Sequence, residues 1–101
     1  MLAVSVLIEV YPEFIEQFMK AALRHANNTC AKEEGCLGFA VHRHENDPNR
    51  FFFYETYRSR KDFDDVHKVA PYLAEYNTLT APWTKSKEIL VWDGVSPDQK
   101  T

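Results

Sequence analysis

Apolar and polar positions alternate with period two from Leu2 to Val10, with Val4, Val6, Ile8 and Val10 on one side and Ala3, Ser5, Leu7 and Glu9 on the other. That period predicts a strand. Pro12 then opens a helix at a position where the missing N–H costs nothing. The helix carries Ile15, Phe18, Met19, Ala22, Ala26 and Cys30 as an apolar stripe, with Gly35 as its stop. A second strand follows over Cys36–His44, setting Leu37, Phe39, Val41 and Arg43 against Gly38, Ala40 and His42. The run Glu45-Asn46-Asp47-Pro48-Asn49 is turn chemistry, so a hairpin returns through Arg50–Tyr57. Ser59 with Asp62 three residues on makes a capping box for a helix whose inward face would be Phe63, Val66, His67 and Ala70. Pro71 breaks it, and Tyr72, Leu73, Tyr76 and Leu79 begin a second short stripe. Glu88–Trp92 reads as the last strand, which places a domain over residues 1–94 and a tail over 95–101.

The order β-α-β-β-α-β is that of an α+β, ferredoxin-like split arrangement with both helices on one face of one sheet. A sheet washed by solvent on its other face should show clean polar alternation. Here the third strand sets Phe51 and Phe53 on one side and Phe52 and Tyr54 on the other. An uncovered apolar face of that kind marks an interface, so a homodimer that stacks two sheets is expected.

Composition removes several classes of function. The net charge is −3 and there is no block of Lys and Arg, so no nucleic-acid surface is expected. No basic region precedes the first apolar run and none approaches a membrane span, so the expectation is a cytoplasmic protein without signal peptide or membrane partner. Two cysteines, Cys30 and Cys36, make no disulfide framework. With three glycines there is no phosphate loop or dinucleotide fingerprint, and no Ser-centred nucleophile motif appears, so no cofactor is expected.

Few residues are left to carry chemistry. His67, on an inward helix face, reads equally as a pocket base or as a core histidine tied to a carbonyl. Glu55 and Tyr57 share one side of their strand and Tyr54 takes the other. A carboxylate among phenyl rings must be paired. Glu55 is therefore a structural ion-pair member, with Arg43 or Arg50, or a pocket carboxylate. His42 and His44 have a metal-like spacing but no convincing third ligand, so no metal is expected. Asn27, near the end of the first helix, could set an amide at a pocket mouth, and Tyr72, Tyr76 and Trp83 could roof a space above the sheet.

Glu33-Glu34-Gly35-Cys36-Leu37-Gly38-Phe39-Ala40-Val41 resembles the pattern E-x-G-C-L-x-F-x-V of the antibiotic biosynthesis monooxygenase domain family. Asp47-Pro48-Asn49-Arg50-Phe51, Tyr54-Glu55-x-Tyr57 and His67-x-x-x-Pro71 follow in the family's order, so the resemblance spans about residues 2 to 93. It implies a dimeric α/β barrel with a pocket between sheet and helices in each subunit. It further implies a cofactor-independent monooxygenase of a small aromatic or quinol-like compound, with His67 as base and Tyr54 and Tyr57 on substrate oxygens. Asn27, His42, Glu55, Tyr72 and Tyr76 would be substrate contacts. The family also holds isomerases of a phosphosugar-like signal compound, but their T-P-H stands here as Ala70-Pro71-Tyr72 and their Asn-His pair as Ala26-Asn27. Haem-degrading relatives carry an Asn on the first strand and a Trp beside the helical His, and neither is present. The alternatives are an isomerase of a small polyhydroxy carbonyl compound and a non-catalytic dimer that binds a hydrophobic ligand.

Overall fold

A computed structural model describes residues 1–95. The chain forms β1 (Leu2–Val10), a 3-10 turn (Pro12–Phe14), α1 (Ile15–Lys32), β2 (Cys36–Arg43) and β3 (Arg50–Tyr57). A π-helical segment (Asp62–His67), α2 (Pro71–Thr80), a second 3-10 turn (Ala81–Trp83) and β4 (Thr84–Asp93) complete it. The sheet order is β2-β3-β1-β4 with every neighbouring pair antiparallel. This is the expected α+β ferredoxin-like arrangement. No described helix is long and apolar enough to cross a membrane.

The core lies on one side of the sheet. Leu2, Val4, Val6, Ile8 and Val10 are buried along β1, and Phe18 and Ala22 of α1 close down on Phe51 and Phe53 of β3. Phe18 is 1% exposed and lies 4.9 Å from the Phe51 ring centroid. Burying a side chain of that size contributes about 1.5–3 kcal/mol. Ser59 caps the helix as expected, its Oγ accepting from the Asp62 N–H at 3.2 Å, while the Asp62 carboxylate accepts from the Ser59 hydroxyl at 2.7 Å and not from its backbone N–H as a full capping box would.

Four details differ from the sequence reading. Cys30 is exposed, and the buried stripe of α1 runs through His25 and Thr29 instead. Val66 is 45% exposed because the segment winds as a π-helix, with the Lys68 N–H donating to the Phe63 carbonyl at 2.9 Å. The wider turn keeps Phe63 and His67 inward and swings Val66 out. Leu37 is exposed because the β2–β3 register shifts between Cys36 and Gly38. Finally, β4 starts at Thr84, four residues earlier than its apolar run suggests. Lys85-Ser86-Lys87 carries no apolar alternation, yet Ser86 and Lys87 pair with Glu9 and Ile8 of β1, and Lys85 falls at a register shift. Of the expected tail only Val95 falls within the described residues.

Neither helix reaches over β4, whose residues are exposed apart from Thr84. The space under α1 and α2 therefore opens sideways along that edge strand.

Candidate active site

The strand period turns Phe51, Phe53, Glu55 and Tyr57 toward the helices, and Phe53 and Glu55 of this row floor a cavity of about 510 Å³. Val4, Val6 and Ile8 of β1 extend the floor, Ile89 and Val91 of β4 its open side, and Leu73 and Tyr76 of α2 its roof. Apart from His25, Glu55, His67, Asn77 and two lysines, its walls are apolar or aromatic, as a site for a small organic ligand requires.

The polar groups are joined. His67 leaves the π-helical segment and presents Nδ1 to the Glu33 carboxylate at 2.9 Å, while its Nε2 lies 3.9 Å from the Glu55 carboxylate. All three residues are at most 4% exposed. The Tyr72 hydroxyl donates to the same Glu33 oxygen that His67 meets, and the Tyr57 hydroxyl donates to Glu55 at 2.6 Å. The Tyr57 ring, centred 5.3 Å from the His67 ring, holds the imidazole from one side, and Phe63 stacks on it at 6.0 Å. Carboxylate acceptance at Nδ1 fixes a proton there and leaves the Nε2 lone pair for the cavity.

Burial sets the acidities. It raises the Glu55 carboxyl to about 7, with the Glu33 charge adding to the rise and the Tyr57 hydrogen bond opposing it. Tyr57 itself is pushed far above the ordinary phenol range, by burial first and then by the neighbouring Glu55 charge. It serves as a hydrogen-bond donor and not as an acid. His25, stacked on Tyr76 at 4.4 Å and 5.6 Å from the His67 ring, is lowered to about 4 by burial, then by His67 and Lys87. Its imidazole is neutral at physiological pH, and its buried Nδ1 has no hydrogen-bond partner among the described residues. The end of the cavity thus offers a base, a carboxyl that holds its proton near neutrality and a neutral imidazole.

Five expected site residues gather here: His67, Glu55, Tyr57, Tyr72 and Tyr76. Three do not. Tyr54 is 46% exposed on the opposite sheet face, in register with Ala40 and Ser5. His42 lies on that same face, its ring 5.8 Å from Phe52. Both take the outward phase of a period-two strand, so neither reaches the cavity. Asn27 lies on the solvent side of α1, two residues and more than half a turn from the buried His25. Nor does Glu55 pair with arginine: Arg50 faces Glu9 at 3.9 Å, and Arg43 is directed at the Met19 sulfur. At the strand ends, Leu7, His42 and Phe52 border a second depression of about 430 Å³, which shares Ile8 and Lys87 with the cavity.

Sequence reasoning missed Glu33 and His25. Glu33 had a signal: it caps the C-terminal end of α1, where the helix dipole disfavours an anion. A buried carboxylate at that place needs another reason, and His67 with Tyr72 supplies it. His25 follows Phe18 and Ala22 along the apolar stripe, which is how it could have been found.

A family model described as antibiotic biosynthesis monooxygenase matches residues 1–76. The chain belongs to that family. Solved structures agree in fold. A candidate antibiotic biosynthesis monooxygenase from Nitrosomonas europaea is 25% identical with a TM-score of 0.87, over 95% of this chain and 100% of that one. Another from Deinococcus radiodurans is 15% identical with a TM-score of 0.89, over 100% and 99%. A conserved protein from Methanosarcina mazei is 24% identical with a TM-score of 0.82, over 90% and 89%. No curated protein matches the chain. The family-model match includes Glu33, Glu55, His67 and Tyr72 and stops before β4, so the wall that β4 adds to the cavity lies outside it. Among the described residues of this monooxygenase-family chain, no group of three or more His, Cys, Asp and Glu is arranged to hold a metal ion.

Proposed function

We propose that the protein is a cofactor-independent monooxygenase of a small, electron-rich aromatic or quinol-like compound. The observation that carries this reading is the buried line Glu33–His67–Glu55 at the end of an apolar cavity. Glu33 orients His67, so Nε2 takes a proton from a phenolic substrate. The apolar walls keep water from the resulting anion, which is then oxidised by O₂ directly. One electron passes to O₂, and the radical pair joins to form a C–O bond. The peroxide so formed takes the Glu55 proton. Loss of water, with the last hydrogen of the reacting carbon leaving as a proton to the Glu55 carboxylate and the His67 proton leaving with the departing hydroxide, restores both groups. The balance is R₂CH₂ + O₂ → R₂C=O + H₂O.

The 3.9 Å gap between Nε2 and Glu55 also favours a second reading, isomerisation of a small polyhydroxy carbonyl compound, since two proton-transfer groups face one space. Oxygen dependence separates them. Oxygen uptake is measured over a panel of quinols, naphthols and anthrones, and turnover of hydroxycarbonyl compounds is measured under nitrogen. The expected result is enzyme-dependent O₂ uptake that falls about 10²–10⁴-fold in His67→Ala, with a smaller fall in Glu33→Gln. Absence of uptake across the panel, or full activity of His67→Ala, refutes the oxygenase reading.

The working form in this reading is a homodimer that joins the open sheet faces. Leu7, Tyr54, Leu90 and Trp92 are 47%, 46%, 38% and 54% exposed there, more apolar surface than a lone subunit ordinarily leaves in water. The two free thiols suit a reducing, cytoplasmic setting.

A further inference from the structure

Three lysines stand around the β4 side of the fold, and two are neutralised. Lys85 pairs with Glu9 at 3.6 Å, and Lys68 pairs with Asp64 at 3.1 Å. Lys87 forms no ion pair and no hydrogen bond among the described residues, although it lines the cavity. Its position is set by register. Ile8 of β1 faces Lys87 on one side and Phe51 on the other, so the lysine stem lies in the inward row with the core. Val4 similarly joins Glu55 to Val91. Lys87 and Glu55 are thus two strands apart and four residues apart along the strands. That is about 10 Å across the sheet and about 13 Å along it. The acid/base groups occupy one end of the cavity and the Lys87 ammonium, unpaired among the described residues, the other, while Asn77 and mostly apolar side chains line the rest.

We infer that Lys87 is a specificity-determining residue that binds an anionic group, a carboxylate, on the substrate at the end remote from the reacting carbon. The inference rests on the reading of this cavity as the substrate site. The spacing selects the ligand class: a fused aromatic of two or three rings can reach both ends, whereas a single ring cannot. The polarity follows from the same layout. The Glu33 carboxylate repels an anion from the His67 end, and the partly desolvated ammonium, with its acidity raised by that desolvation, attracts it at the other. Its charge is also felt by His25 across the cavity. Lys87 lies outside residues 1–76, which the family model matches.

The test is a binding measurement under nitrogen by tryptophan fluorescence, with anthraquinone-2-carboxylate and its neutral analogue 2-(hydroxymethyl)anthraquinone as probes. The wild type is expected to bind the carboxylate about tenfold or more tightly than the alcohol, the range of a hydrogen bond to a charged group. Lys87→Met and Lys87→Gln should bring the two affinities within about twofold, and Lys87→Arg should keep the preference. Equal affinities in the wild type, no carboxylate binding at millimolar concentration, or a preference that survives Lys87→Met or Lys87→Gln overturns the inference. The assay needs no turnover. Loss of the oxygenase reading with this preference intact would strike the chemistry alone, and the reverse outcome would strike Lys87 alone.

Discussion

Glu55 costs the fold stability as pH rises, and replacing it by Gln should remove that cost. The carboxyl is 4% exposed, and burial raises it from 4.5 to about 7. Between those values the folded chain holds a proton that the unfolded chain has lost, so folding is favoured below 4.5 and the advantage is lost as pH climbs through 7. Each pH unit in that window is worth about 1.4 kcal/mol, which makes about 3 kcal/mol in all. Gln keeps an acceptor for the Tyr57 hydroxyl at the same place and carries no titrating proton. The wild-type profile alone will not display this, because His25 acts in the opposite sense. Its folded value of about 4 lies below the ordinary 6.5, so its contribution is present above 6.5 and is lost as pH falls through 4. The two slopes oppose each other between pH 4.5 and 6.5. The informative quantity is therefore the difference between Glu55→Gln and wild type, from urea unfolding at half-unit steps from pH 4.5 to 8. Relative to its value at pH 4.5, that difference should grow in favour of the variant by about 3 kcal/mol at pH 8. A difference that stays flat across the range, or shrinks, would refute the assignment of Glu55 as a carboxyl forced to hold its proton.

Gly35→Ala should destabilise the fold by about 1–3 kcal/mol, as overpacking does, because its new Cβ would clash with the Asp62 side chain, which Arg58 and Ser59 hold in place. Thermal unfolding checks this, and a variant as stable as wild type would show that Asp62 can move away freely. Light scattering should report twice the 11.8 kDa of one chain, and Leu7→Asp, on the open face, should return the monomer mass. A wild-type monomer would leave the open face without its proposed cover.

Much of the site can be read along the chain. Period-two alternation alone puts Glu55 and Tyr57 on the same side as Phe51 and Phe53, and turns Tyr54 away from them. It shows equally that the second sheet face is too apolar for water. Helical spacing puts His67 with Phe63, and the E-x-G-C-L-x-F-x-V run with His67-x-x-x-Pro71 points to the family. Those properties are local, because a side chain's direction follows from the backbone period within a few residues.

Partnership between distant positions is another matter. Glu33 and His67 are separated by 34 residues, and Glu33 and Tyr72 by 39. Neither spacing shows in any periodicity, so the setting of His67, beside Glu33 at the end of the cavity, emerges only when α1 and the π-helical segment pack together. The same holds for β4. Its first half has no apolar pattern to find, and only pairing with β1 places Lys87 in the inward row. The alternation along each strand was written in the sequence. Which groups meet across the cavity depended on how the helices close over the sheet, and leaving β4 uncovered is what opens the space they share.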